Sequence, residues 1–333
     1  MDRIHSTASP PASFPVAATQ CLRRAARRFG AMLTWFCIVG PVLAATDGKF
    51  DSVVLISIDG LRADVVNVAT TPYLAGLKRR AWWVSNARSV SPPLTVPAHA
   101  SMLTGLQPRE HRVLWNSPRA GAYGGESVFS VVRDAGLATA AFIAKPKLRF
   151  LAHPDRVDYV NRHAPNDTSI VALQTIVADV QREWPRRPYA FTFVHIAEPD
   201  LSGHRSGWMS LDYLATVKRV DVALAELLAV FETTATNRKV ALIVTADHGG
   251  EGFRHHSNRV PVREVPWLLL APGMGCGEII EAVRLHDTAP TALALLGLEF
   301  IGAISGTPIA PLRGTDGPPL SAVSRRQISD NCR

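Results

Sequence analysis

Four polar clusters carry the side chains most suited to chemistry: Asp59, Thr95, Asp200 with His204, and Asp247 with His248. Carboxylate oxygen and imidazole nitrogen are the groups that divalent cations take, and a pair of ions needs about six of them converging from separate parts of a chain. A hydroxyl beside such a pair can attack phosphorus or a carbonyl at neutral pH. The set therefore predicts a two-metal hydrolytic site, provided the fold brings the clusters together.

Three of the clusters follow short apolar runs. Residues 53–58 (Val-Val-Leu-Ile-Ser-Ile) precede Asp59, residues 191–196 (Phe-Thr-Phe-Val-His-Ile) precede the Asp200 cluster, and residues 240–246 (Val-Ala-Leu-Ile-Val-Thr-Ala) precede Asp247. These runs are rich in β-branched and aromatic residues and too short for good helices, so they predict strands. In open parallel sheets ligands bind beyond the carboxyl ends of the strands, which points to one shared crevice. The elements between them read as helices over residues 71–80, 101–106, 127–135 (stopped by Gly136), 169–184, 211–231 and 287–296 (before Gly297). Further strands are expected over 138–144 and 267–270. This alternation predicts an α/β fold, a mostly parallel sheet with helices on both faces. No internal repeat or linker interrupts residues 47–312, which are expected to form one domain.

The chain has 333 residues, 47% of them hydrophobic and 19% charged, enough to bury a large core. Residues 1–44 differ from the rest. A Pro-rich start and Arg23, Arg24, Arg27 and Arg28 precede an apolar run that ends at Val42-Leu43-Ala44, the layout of a cleaved export signal. Gly30, Thr34, Gly40 and Pro41 interrupt that run, so no stable membrane anchor is expected after cleavage. The segment holds five Arg and one Asp, so half of the formal +8 charge belongs to it. The remaining bias suits an anionic small substrate, and no basic tract argues for a nucleic-acid-binding module. Of four cysteines, Cys276 and Cys332 lie beyond the signal and could pair in an oxidising compartment. Residues 313–333 read as a flexible tail, and the localisation expected is secreted or periplasmic.

The motifs Asp59-Gly60-Leu61-Arg62, Thr95-Val96-Pro97-Ala98-His99, Glu198-Pro199-Asp200-Leu201-Ser202-Gly203-His204 and Thr245-Ala246-Asp247-His248-Gly249-Gly250 occur in that order. Over most of residues 50–312 the sequence resembles the alkaline phosphatase superfamily, and within it the type I phosphodiesterase/nucleotide pyrophosphatase group. The resemblance implies an alkaline-phosphatase-like three-layer α/β/α sandwich with two divalent ions, of which zinc is expected. It implies that Asp59, Thr95, Asp247 and His248 hold one ion. Asp200, His204 and a third histidine would hold the other, with His255 favoured over its neighbour His256 by ungapped spacing from Asp247. Thr95 would be the nucleophile, forming a phosphothreonine intermediate. Asn116 stands where the group places an amide that donates to a phosphate oxygen.

Other polar residues admit plainer readings. Thr95 could cap a helix and Asn116 could serve a turn. Lys145 and Lys147, at the end of the 138–144 strand, could contact an anionic substrate. His99, His195, His286 and Asp287 read as structural hydrogen-bonding groups. The substrate expected is a small phosphate ester, with a phosphodiester or nucleotide pyrophosphate bond ahead of a monoester. Sulfatase chemistry is disfavoured, because the nucleophile position is Thr and lacks the Pro-Arg that a sulfatase needs. A silent metal-binding protein is the alternative of another class.

Overall fold

The core of the protein is an eight-stranded sheet whose central strands are buried from end to end. In the computed structural model, residues 50–161, 169–233 and 238–309 are described. The strands are β1 (Ser52–Ile58), β2 (Trp82–Arg88), β3 (Thr139–Ile143), β4 (Tyr159–Val160), β5 (Phe191–Ile196), β6 (Val240–Thr245), β7 (Glu264–Leu270) and β8 (Gly277–Glu278). Every residue of β1, β3, β5 and β6 is buried, as expected of parallel strands covered on both faces.

The strand order is β4-β3-β5-β1-β6-β7-β2-β8. Strands β4, β3, β5, β1 and β6 pair in parallel, β7 runs antiparallel to both β6 and β2, and β8 is parallel to β2. One helical layer groups Thr95–Thr104, Val128–Asp134 and Thr288–Leu296; a second groups Pro72–Leu77, Leu173–Glu183, Glu198–Ser206 and Leu211–Thr233. The predicted α/β class and mostly parallel sheet are what the chain forms.

The differences lie at helix boundaries and at weakly patterned strands. The helix expected over 101–106 begins at Thr95 itself, and Leu94 rather than Thr95 occupies the cap position, with no side-chain cap bond. Residues 95–100 are small or buried and face protein on all sides, so no amphipathic period marks the turn. Glu198–Ser206 is a helix that the motif pattern does not announce; Pro199 sits in its first turn, where a missing N–H costs nothing. Strand β2 is hidden in the sequence because it mixes half-buried Trp with exposed Ser and Asn and carries an irregularity between Val84 and Ala87.

The described residues fall within one compact unit, Ala45–Arg333. The expected export signal (1–44) and the tail (313–333) lie outside the described residues. Cys276 is buried and disulfide-bonded; Cys332 lies outside the described residues. Among the described residues, no helix is long and apolar enough to cross a membrane.

Candidate active site

Sheet order explains how distant residues meet. Strands β3, β5, β1 and β6 are adjacent and parallel, so their carboxyl ends present Lys145, Asp200, Asp59 and Asp247 in a row. The chain turns sharply after β1: Gly60 has φ +74°, and its N–H donates to Asp247 Oδ1 at 3.1 Å. After β5, the backbone N–H of Asp200 donates to the Asp59 carbonyl at 3.0 Å, locking the two acidic segments together. Asp200 and His204 are one helical turn apart on Glu198–Ser206, so their side chains share a face.

Three histidines are oriented alike. His248 Nδ1 lies 2.9 Å from the Gly249 carbonyl, His204 Nδ1 2.9 Å from the Phe253 carbonyl, and His255 Nδ1 2.8 Å from the Pro93 carbonyl. A carbonyl only accepts, so each Nδ1 donates and each ring turns its Nε2 inward, as a lone pair where the ring is neutral. Those nitrogens face carboxylates: His248 Nε2 is 3.3 Å from Asp247 Oδ2 and 3.6 Å from Asp59 Oδ1. His204 and His255 Nε2 lie 3.4 and 3.7 Å from Asp200 Oδ1. Burial, the largest influence, pushes the His248 and His255 imidazoles below their ordinary pKa, His255 to about 3, and holds them neutral. His204, half in solvent, is pushed up by the Asp200 carboxylate beside it.

A lone pair against a carboxylate oxygen is repulsive unless a cation lies between them. Asp59 Oδ1, Asp200 Oδ1, Asp247 Oδ2, His248 Nε2 and Thr95 Oγ1 are all buried without a hydrogen-bond partner. Buried polar atoms are otherwise nearly always satisfied, so this concentration of orphans fits a place for cations. Two groups have ligand atoms close enough to share an ion: Asp200, His204 and His255, and Asp59, Asp200 and His248. Of the two adjacent histidines, His255 joins the cluster and His256 is exposed.

Thr95 is the first residue of its helix, 1% exposed, with an unpartnered hydroxyl. The capping reading of Thr95 therefore has no bond to support it. Its position relative to Asp59 is fixed by His99: Nδ1 reaches the Thr95 carbonyl at 2.7 Å and Nε2 the Ser57 hydroxyl on β1 at 2.8 Å. Asn116 Oδ1 accepts from the Val96 N–H at 3.0 Å and from Lys147 Nζ at 3.1 Å. Both contacts engage its oxygen, which leaves the amide NH2 as the end free to donate.

Lys145 is buried, with Nζ 2.7 Å from Asp59 Oδ2 and hydrogen-bonded to Asp200 Oδ2. Burial alone would raise the Asp59 carboxyl pKa, but the Lys145 ammonium and the His195 hydrogen bond outweigh it and hold Asp59 well below the carboxylate range. Burial and repulsion from Asp59 work against Asp200 too, yet Lys145 brings it to about 2. Asp247 goes the other way, pushed up by burial and by Asp59.

Some side chains outside the expected site set contribute to it. His195 Nε2 is 3.1 Å from Asp59 Oδ2, so a histidine read as structural orients an acidic group of the site. Trp208 Nε1 and Tyr213 Oη each donate to the Gly60 carbonyl at 2.9 Å. Ser89 Oγ donates to the Asp247 carbonyl. A histidine in a fully buried strand close to a motif was a usable signal; Trp208, Tyr213 and Ser89 left none.

The sequence matches the family described as type I phosphodiesterase / nucleotide pyrophosphatase over residues 53–265. Human ectonucleotide pyrophosphatase/phosphodiesterase family member 1 is 27% identical over 219 residues, 59% of this chain and 23% of that protein. The chain spans about a quarter of the length of the first curated relatives it matches. The structure of murine ectonucleotide pyrophosphatase/phosphodiesterase 5 superposes with a TM-score of 0.63 at 17% identity, covering 77% of this chain and 97% of that one. An alkaline phosphatase superfamily protein from Vibrio parahaemolyticus gives 0.59 at 15% identity, covering 79% and 70%. With its ordered motifs gathered at the carboxyl end of an alkaline-phosphatase-like sheet, the chain belongs to the type I phosphodiesterase / nucleotide pyrophosphatase family.

Proposed function

We propose that the protein hydrolyses small phosphate esters, phosphodiesters or nucleotide pyrophosphates, with Thr95 as nucleophile and two divalent ions, zinc by preference, as cofactors. The observation that carries this reading is the buried, unpartnered Thr95 hydroxyl at a helix start, beside orphaned carboxylate oxygens and an inward-facing imidazole nitrogen. Asp59, Thr95, Asp247 and His248 would hold one ion, and Asp200, His204 and His255 the other. Such ions, when bound, would withdraw charge from phosphoryl oxygens and favour the ionised form of an attacking hydroxyl.

The chain's own groups do the rest. Thr95 Oγ attacks phosphorus as the bond to the leaving oxygen breaks, and the departing group takes a proton; water then cleaves the phosphothreonine and restores the hydroxyl. The Asn116 NH2, whose orientation is set by the Val96 N–H and Lys147, donates to a non-bridging oxygen. The N-terminal end of Thr95–Thr104 favours the anionic phosphoryl group. Lys145, a buried cation between Asp59 and Asp200, would contact a substrate oxygen. Murine ectonucleotide pyrophosphatase/phosphodiesterase 5 has also been solved as an inactive threonine-to-alanine variant in complex with AMP, which supports a threonine-dependent reaction on nucleotides here.

Export to the periplasm or cell exterior is part of the proposal. It rests on the signal-like residues 1–44 and on the disulfide at Cys276, which suits an oxidising compartment.

The test compares bis-p-nitrophenyl phosphate, p-nitrophenyl phosphate and p-nitrophenyl sulfate, using zinc-reconstituted protein beside Thr95→Ala. Turnover of a phosphoester that Thr95→Ala loses while still binding metal is expected. Full activity in that variant would remove Thr95 from the reaction.

A further inference from the structure

The two lysines that follow β3 differ in one respect. Lys145 is held by two carboxylates, Asp59 and Asp200. Lys147 is half-buried, and its one hydrogen bond among the described residues is to the neutral Asn116 amide oxygen at 3.1 Å. No ion pair joins it to a carboxylate among those residues. A partly desolvated ammonium with only a neutral partner has unused donors and an unmet charge.

Its location gives that charge a use. The same Asn116 oxygen accepts from the N–H of Val96, the residue after Thr95, so the ammonium is one side chain removed from the head of the nucleophile's helix. Burial and the neighbouring Lys145 ammonium lower the Lys147 pKa, while Asp59, Asp200 and Asp247 offset part of that effect, so its charge belongs to the field of the site. Two ammonium groups beside one phosphoryl pocket are more positive charge than a singly charged diester with two neutral arms requires.

We propose that Lys147 is a specificity-determining residue that binds a second negative charge on or next to the reacting phosphorus, selecting substrates that carry one over simple diesters. The inference rests on the phosphoester reading above. Two sources share this chemistry: the dianionic phosphoryl group of a monoester or phosphonate, and a neighbouring phosphate of a pyrophosphate substrate. Among the described residues the Lys147 side chain makes no hydrogen bond to the backbone, so it can turn between Asn116 and an anion.

The experiment measures kcat/KM for bis-p-nitrophenyl phosphate, p-nitrophenyl phosphate and ATP with the metal-loaded protein and its Lys147→Met, Lys147→Gln and Lys147→Arg variants. A charged hydrogen bond of ordinary strength corresponds to roughly ten- to hundredfold. Lys147→Met should therefore lose at least about tenfold more on p-nitrophenyl phosphate or on ATP than on bis-p-nitrophenyl phosphate, and Lys147→Arg should recover the difference. A loss confined to p-nitrophenyl phosphate places the second charge on the phosphoryl group itself; a loss confined to ATP places it on the adjoining phosphate.

Lys147→Gln separates charge from positioning, because its amide still donates to Asn116. Wild-type selectivity in that variant, or equal losses on all substrates in Lys147→Met, would reduce Lys147 to a support for Asn116 and overturn the proposal. Calorimetric binding of inorganic phosphate supplies a readout that needs no turnover: wild-type protein should bind it about tenfold more tightly than Lys147→Met, and equal affinity overturns the assignment. Absence of phosphoester turnover in the wild type, with phosphate bound through Lys147, would count against the hydrolase reading alone.

Discussion

Replacing Gly60 by alanine tests whether one turn sets the spacing of the acidic groups. Gly60 has φ +74°, and a Cβ there would lie 2.8 Å from Asp200 Cα and 2.9 Å from Asp200 N, closer than real Cβ atoms come to backbone. The left-handed conformation costs a non-glycine residue roughly 1–2 kcal/mol. Relieving an overpacked contact adds roughly 1–3 kcal/mol. The total of about 2–5 kcal/mol corresponds to a fall of about 4–10 °C in melting temperature for a unit of this size. The backbone around Gly60 has little freedom to absorb the change: its carbonyl is held by Trp208 and Tyr213 and its N–H by Asp247. The relief must then come from Asp200, moving it away from Asp59 by tenths of an ångström, on the scale of the roughly 0.5 Å tolerance of a metal site. Melting curves with and without added zinc, and calorimetric zinc titration, read both effects. Gly121→Ala is the control, since Gly121 has φ +82° with nothing within 4 Å of the added carbon. It should lose stability through backbone conformation alone and bind metal as the parent does. Equal zinc affinity in Gly60→Ala and the parent would refute the claim that this contact spaces Asp59 from Asp200.

Further outcomes follow from the same geometry. His195→Ala removes the imidazole that orients Asp59 and should weaken metal binding about 10- to 100-fold, measured by competition with a chromogenic chelator. Trp208→Ala empties the space against Gly203 and Gly250 and frees the Gly60 carbonyl, and should destabilise the fold by about 3–5 kcal/mol in denaturant unfolding. Metal removal by chelation should abolish turnover and lower the melting temperature. Readdition at a thousand times the dissociation constant should restore about 4 kcal/mol, with zinc compared against manganese and calcium to identify the ion.

How much of this was legible in the sequence depended on the distance over which each residue acts. Strands β1, β5 and β6 were readable because total burial on both faces forces continuous apolar runs, and the acidic residues after them stood out by contrast. The order β3-β5-β1-β6 was not readable, because pairing between strands distant in the chain leaves no local mark. That order is what sets Lys145 beside Asp200 and Asp59. In the sequence Lys145 and Lys147 look equivalent, close together after one strand; only the fold distinguishes the lysine bound by two carboxylates from the one bound by an amide.

Thr95 shows the complementary limit. Its residue type allowed both a cap and a nucleophile, and local sequence could not decide between them, since Thr suits either. The structure adds an unpartnered hydroxyl that makes no capping bond, and a chain of contacts that no short window contains. His99, one turn along the same helix, bonds the Thr95 carbonyl and the Ser57 hydroxyl at once. Ser57 lies just before Asp59 on β1, so one imidazole ties the helix that begins with the unpartnered hydroxyl to the strand that leads into the carboxylate. Burial and the neighbouring His195 push the His99 pKa well below its ordinary value, so the ring stays neutral: it donates from Nδ1 to the carbonyl and accepts at Nε2 from the serine. His99→Gln offers similar polar groups without the rigid ring. It should keep the fold and metal affinity near those of the parent while lowering kcat on the best phosphoester substrate about tenfold or more, because Thr95 loses its fixed approach to phosphorus. An unchanged kcat in a folded, metal-bound His99→Gln protein would show that the helix is placed by packing alone.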